Sequence, residues 1–144
     1  QAAEFRPVAV WTDADCYPKP PGKYAAERMI DADLASYACL LDDTRTGNNA
    51  HVYPPKAAPP VTATFVLDLG ETRVVAGIRF MARNAWVYVL AKNVCIAACD
   101  DAQGQENVRP LAEHQELPAT SNSNSAFVEW PAVATRYLKV RVND

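Results

Sequence analysis

Two pairs of adjacent carboxylates, Asp42-Asp43 and Asp100-Asp101, are the residues that first invite an acid–base reading of this chain. A sugar-cleaving acid and base must flank one bond from facing positions. Neighbours in an extended chain point to opposite faces, so neither pair fits that geometry. Both read instead as turn residues. Ser, His and Asp are present, but no spacing joins them into a nucleophilic triad. There is no G-x-S-x-G elbow and no glycine-rich phosphate loop. The chain is expected not to be an enzyme.

The four cysteines, Cys16, Cys39, Cys95 and Cys99, contain no C-x-x-C pair, and the two histidines, His51 and His114, are isolated in sequence. Zinc ligation therefore finds no support. Cys95 and Cys99 lie four apart in strand-like sequence, which separates them by about 13 Å. A disulfide needs Cα atoms within about 7 Å, so these two should not pair unless the strand bends. Cys16 and Cys39 both lie in loop-like sequence. They either staple two loops or join the others as free, buried thiols.

The elements that must position any site are strands. The run 61–69 alternates, with Val61, Ala63, Phe65, Leu67 and Leu69 on one side and Thr62, Thr64 and Asp68 on the other. That pattern predicts a half-buried antiparallel strand. Further strands are predicted at 8–11, 74–83, 87–99, 108–117, 127–130 and 136–142. A turn at Gly70-Glu71-Thr72 and another at 100–106 separate some of them. One helical turn is expected within 24–30. Residues 42–60 are polar and carry Pro54, Pro55, Pro59 and Pro60, a long connection of the kind that is usually functional or mobile. Short strands divided by turn signals predict an all-β fold, a β-sandwich or jelly roll. Trp130 is expected in the core or at the sandwich edge, and His114 at the surface.

Size and charge narrow the function classes. The 144 residues suffice for one domain with a core. The net charge is −3 and no basic stripe exists, which argues against nucleic acid as a partner. No apolar run approaches the roughly 20 residues that span a bilayer as a helix. Residues 1–5 are either a mature secreted terminus or an extension foreign to the fold.

Three phrases carry a resemblance. They are Met29-Ile30-Asp31-Ala32-Asp33-Leu34-Ala35-Ser36-Tyr37, then Phe65-Val66-Leu67-Asp68-Leu69-Gly70, then Ala134-Thr135-Arg136-Tyr137-Leu138-Lys139-Val140. In this order and spacing they resemble the discoidin-like domains, the type C domains of coagulation factors and the galactose-binding-like carbohydrate-binding modules. The resemblance covers residues 24–144 and implies a galactose-binding-like jelly roll. It also implies a structural calcium ion in the Asp-containing loop. Asp31 would supply a carboxylate, Arg28 and Asp33 backbone carbonyls, and Ser36 a hydroxyl and a carbonyl. A further ligand near the C-terminus would come from Asp144 or Asn143. Calcium takes six to eight hard oxygens, which such a loop can provide. Ala32 and Ala38 stand where the family has Gly and Trp. The alternative is that Asp31 merely caps a turn.

The resemblance further implies a sugar site on the loops at one end of the sandwich. Arg83 and Asn84 would bond sugar hydroxyls through planar, charge-assisted donors and paired acceptors. His51 would add a polar contact, and Trp86 or Tyr53 would stack on the C–H face of the ring. Trp11, Asp13 and Tyr17 lie near the first loop. By this resemblance the chain is a non-catalytic, lectin-like carbohydrate-binding module. It would recognise a terminal, galactose-type sugar and tether a larger, secreted or periplasmic multidomain protein to glycans. The alternatives are a protein- or lipid-binding adhesion domain of the discoidin type, or a structural domain packed on a catalytic neighbour. Lipid binding would need apolar loop tips backed by Lys and Arg, and the acidic chain argues against it.

Overall fold

The computed structural model describes residues 6–12, 26–30, 62–80, 93–116 and 126–143. Among the described residues five strands form one antiparallel sheet in the order β1-β2-β5-β3-β4. They are β1 (Ala9–Thr12), β2 (Thr62–Phe80), β3 (Asn93–Cys99), β4 (Arg109–Glu116) and β5 (Ala126–Asn143). A 3-10 turn, Ala26–Met29, lies within the expected helical stretch. It closes with the Ile30 N–H donating to the Glu27 carbonyl at 3.2 Å.

The alternation read from sequence sets the faces. Ala63, Phe65, Leu67 and Leu69 are all buried, as are Val94 and Ile96 of β3 and Leu138 and Val140 of β5. Val66, on the opposite face, is buried too, beneath the turn after β3: a Cβ on Gly104 would lie 3.0 Å from its Cγ2. Trp130 is core, as expected, and His114 is exposed.

Two expectations need correction. Gly70-Glu71-Thr72 does not reverse the chain, and β2 continues through it to Phe80. Likewise 127–130 and 136–142 belong to one strand, β5. The β2–β5 ladder instead slips twice, between Asp68 and Arg73 and between Val75 and Gly77. At the first slip, residues 69–72 oppose Arg136 alone. Gly70 takes φ +85 there, a left-handed conformation that glycine adopts freely. At the second, residues 130–132 oppose Ala76 alone. This bulge contains Pro131, whose missing N–H then leaves no ladder bond unmade. A glycine-containing triplet signals a turn and a bulge equally well, which is why the local sequence misleads here.

The slips produce a corner rather than an end. Val75, Val128 and Trp130, beyond it, share one buried cluster with Phe65, Leu67, Val94, Ile96, Leu138 and Val140, before it. The second halves of β2 and β5 therefore fold back over the core face of the first halves, which makes the two layers of a sandwich. The Trp130 indole N–H donates to the Val75 carbonyl at 3.1 Å and ties the bulged stretch of β5 to β2. Every strand then leads away from the corner at one of its ends. Thr62, Asn93, Glu116 and Asn143 are register neighbours on one rim, and Phe80 pairs with Ala126 at the far end of the second halves. Thr12, opposite Phe65, also points β1 away from the corner, where Ala9 sits opposite Asp68.

Candidate functional site

His51, Tyr53, Arg83, Asn84 and Trp86, the expected sugar ligands, lie outside the described residues. So do Asp31, Asp33, Ser36 and Asp144 of the expected calcium site, and Cys16 and Cys39. Arg28 falls within the 3-10 turn that leads directly into the Asp31 segment. Among the described residues no three His, Cys, Asp or Glu side chains gather as a metal site would require.

What the fold fixes is where these segments attach. Residues 31–61 run from Ile30 to Thr62, 81–92 from Phe80 to Asn93, and 117–125 from Glu116 to Ala126. Thr62, Phe80, Asn93, Glu116 and Ala126 lie away from the corner, whereas Ile30 sits beside the chain entering β1, its carbonyl accepting from Arg6 Nη1 at 3.4 Å. Phe80, Ile30 and Met29 also pack against the core cluster, so the anchoring points are held by burial. Segment 81–92 is thus tethered at both ends, and 31–61 at its Thr62 end, to the side of the sandwich opposite the corner.

The corner itself is where two of the three recognisable phrases meet. Arg136 donates from Nε to Asp68 Oδ1 at 2.9 Å and from Nη2 to Oδ2 at 3.1 Å. Asp68 Oδ1 also accepts the Gly70 N–H at 2.8 Å. The Arg136 guanidinium further lies 5.1 Å from the Tyr137 ring centroid. The hydrogen bond from Arg136 holds the Asp68 carboxyl below the usual carboxylate range, and the same contact raises the Arg136 guanidinium. A shallow concavity of about 360 Å³ opens beside this pair, lined in part by Thr72, Asp100, Thr135 and Tyr137. Its polar groups serve the fold. The Thr135 hydroxyl lies 3.0 Å from the Tyr137 carbonyl and 3.3 Å from that of Cys99, and Asp100 accepts from Asn107 and Arg109. In these two phrases Asp68 and Arg136 are committed to each other and to the backbone, as scaffold residues are.

The turn after β3 is equally well knitted. Asp101 Oδ1 accepts the N–H groups of Gln105 at 2.7 Å and Glu106 at 2.8 Å, and Oδ2 that of Gln103 at 3.2 Å. These bonds, that from Glu106 foremost, pull its carboxyl below the usual range. The expected reading of Asp100-Asp101 as turn residues holds. Lys139 Nζ donates to the Gly104 carbonyl at 3.0 Å, clasping the turn to the sheet.

Cys95 and Cys99 are both free, in line with their spacing on a strand. Sequence reading missed one constellation. His114, isolated in sequence, lies beside Cys95, with Nδ1 3.9 Å from Sγ. Their separation of 19 residues carries no recognisable spacing, since the contact depends on a slip in strand register.

No family model matches the chain, and no curated protein sequence matches it. Solved structures do. A chitosan-binding module from a chitosanase/glucanase of Paenibacillus sp. IK-5 is 11% identical over 93% of this chain and 80% of its own, with a TM-score of 0.62. The module CpGH89CBM32-5 from Clostridium perfringens, solved in complex with GalNAc-β-1,3-galactose, is 12% identical over 93% of this chain and 82% of its own, with a TM-score of 0.60. The CBM32-1 and CBM32-2 domains of Clostridium perfringens ZmpB give a TM-score of 0.65 at 13% identity, over 94% of this chain and 30% of theirs. At such identities the likeness speaks for the backbone: the chain is all-β and has the galactose-binding-like β-sandwich fold of these carbohydrate-binding modules.

Proposed function

We propose that this chain is a non-catalytic carbohydrate-binding module. The observation that carries the reading is the fold, shared over 93% of the chain with modules described as binding chitosan or solved with a bound disaccharide. The attachment of 81–92 to Phe80 and Asn93, and of 31–61 to Thr62, all strand ends remote from the corner, supports it. It lets His51, Tyr53, Arg83, Asn84 and Trp86 converge on one end of the sandwich, as a sugar site requires. Arg83 and Asn84 bond the hydroxyls, His51 adds a polar contact, and Trp86 or Tyr53 stacks on the ring. The ligand is a terminal sugar of galactose type, and the module tethers a larger extracellular or periplasmic protein to glycans. Affinity is modest, since a shallow site desolvates few contacts fully.

A glycan array with β-galactosides, N-acetylgalactosaminides and chitosan oligosaccharides tests this reading. Binding to a galactose-type terminus, lost in Arg83→Ala, is expected. Binding to none of these sugars defeats the reading, and selective binding to chitosan oligosaccharides replaces the sugar while keeping the class. A structural calcium ion held by Asp31, by the Arg28 and Asp33 carbonyls, by Ser36 and by Asp144 belongs to the same proposal. Chelator should then lower the melting midpoint by mass action. An unchanged midpoint removes the ion.

A further inference from the structure

Cys95 sits on the outer face of β3, opposite a bulge in β4. Val94 pairs with Gln115 and Ile96 with Ala112, so one residue of β3 faces two of β4, Glu113 and His114. The extra residue gives His114 a φ of +50. Left-handed backbone is uncommon for a residue with a side chain, although His, Asn and Asp tolerate it best. Bulges of this kind re-aim side chains. Here the result is a thiol held by one residue from two sides: the His114 N–H donates to Cys95 Sγ at 3.4 Å, and Nδ1 of its ring lies 3.9 Å from the same sulfur. On the other flank Cys95 pairs in register with Arg141 of β5. His114 is exposed and Cys95 half-buried, so both are within reach of solvent.

Cys99, four residues further along β3, lacks both the exposure and the imidazole. It is 1% exposed, its sulfur lies 3.6 Å from the Asp101 carbonyl, and burial pushes its thiol up. Buried thiols of that kind are inert, whereas a partly exposed thiol in contact with an imidazole has a base within reach of its proton.

We propose that Cys95 and His114 form a thiol–base pair that makes Cys95 a site of mixed-disulfide formation with small-molecule disulfides. Nδ1 of His114 accepts the Cys95 thiol proton, and the backbone N–H of His114 stabilises the sulfur anion. The thiolate attacks one sulfur of the disulfide. A new S–S bond forms to Cys95, the original S–S bond breaks, and the second sulfur leaves as a thiolate that takes up the proton. The protein sulfur is oxidised and the leaving sulfur reduced, so the small disulfide is the only oxidant. The pair lies on a sheet face and is independent of the sugar-binding reading.

The folded protein is incubated with oxidised glutathione, and adducts on each cysteine peptide are followed by mass spectrometry over time. Cys95 should be modified while Cys99 stays protected. His114→Asn keeps a residue that accepts the left-handed backbone but removes the imidazole, and should slow Cys95 modification by about tenfold or more, with general-base assistance as the lost factor. Free imidazole added to that variant should restore part of the rate. Equal rates at Cys95 and Cys99 overturn the proposal. So does an unchanged Cys95 rate in His114→Asn. If His114→Asn opens the fold, Cys99 becomes labelled as well, and Gln115→Ala, which leaves the pair intact, must then retain the fast Cys95 reaction.

Discussion

Replacing Trp130 by Phe probes the bond that ties the bulged stretch of β5 to β2. Trp130 is 6% exposed and belongs to the buried cluster. Its indole N–H reaches the Val75 carbonyl, 55 residues away, at 3.1 Å. Phe keeps an aromatic ring but cannot donate. Leaving a buried carbonyl without its partner costs about 1–3 kcal/mol. The smaller ring also leaves a void, which adds about 1 kcal/mol. The expected loss is therefore about 3 kcal/mol, or on the order of 10 °C in melting temperature for a domain of this size. Urea titration followed by far-ultraviolet circular dichroism measures it directly. The slope should stay unchanged, because the surface exposed on unfolding hardly differs. A benzothienyl analogue at position 130 keeps the ring shape, removes only the N–H, and should recover the packing part alone. A loss below about 1 kcal/mol for Trp130→Phe refutes the assignment of this bond as a stabilising tie between β5 and β2.

Two further perturbations follow from the same geometry. Gly104 takes φ +71, and an added Cβ would stand 2.9 Å from Lys139 Cδ and 3.0 Å from Val66 Cγ2. Gly104→Ala should therefore cost about 1–2 kcal/mol by denaturation, and a neutral outcome would show that the turn shifts freely off the sheet. For Asp68, folding lowers the carboxyl pKa through Arg136. Its contribution is complete above the value it has in the unfolded chain and is lost as pH falls through the folded one. The melting temperature of the native sequence should thus drop more steeply in acid than that of Asp68→Asn. Parallel curves would contradict the pairing.

The sequence made the sheet legible because burial on one face leaves a period of two. The alternation of Ala63, Phe65, Leu67 and Leu69 survives intact in the structure. The corner was not legible. Gly70-Glu71-Thr72 satisfies the chemistry of a turn and of a bulge alike, and only the long-range register of β2 on β5 decides between them. The phrases containing Asp68 and Arg136 stood out in the sequence, yet nothing local showed that they join in one ion pair across 68 residues. Cys95 and His114 were hidden for a related reason. A one-residue slip moves a side chain to another partner, and a slip is a property of two strands rather than of either. The expected sugar and calcium ligands could be read only through the resemblance, since alternation marks a strand but assigns no ligand role to residues such as His51 or Arg83.

Amide resonances followed during titration with the best-binding glycan test the central claim most directly, because they ask at once whether a sugar binds and where. The account predicts shifts concentrated at the strand ends that anchor the ligand-bearing segments, Thr62, Phe80, Asn93, Glu116 and Ala126, and extending into 81–92. Thr72, Gly104 and Thr135, at the corner, should remain still. Shifts centred on the corner, or no shift with any glycan at high concentration, would contradict it.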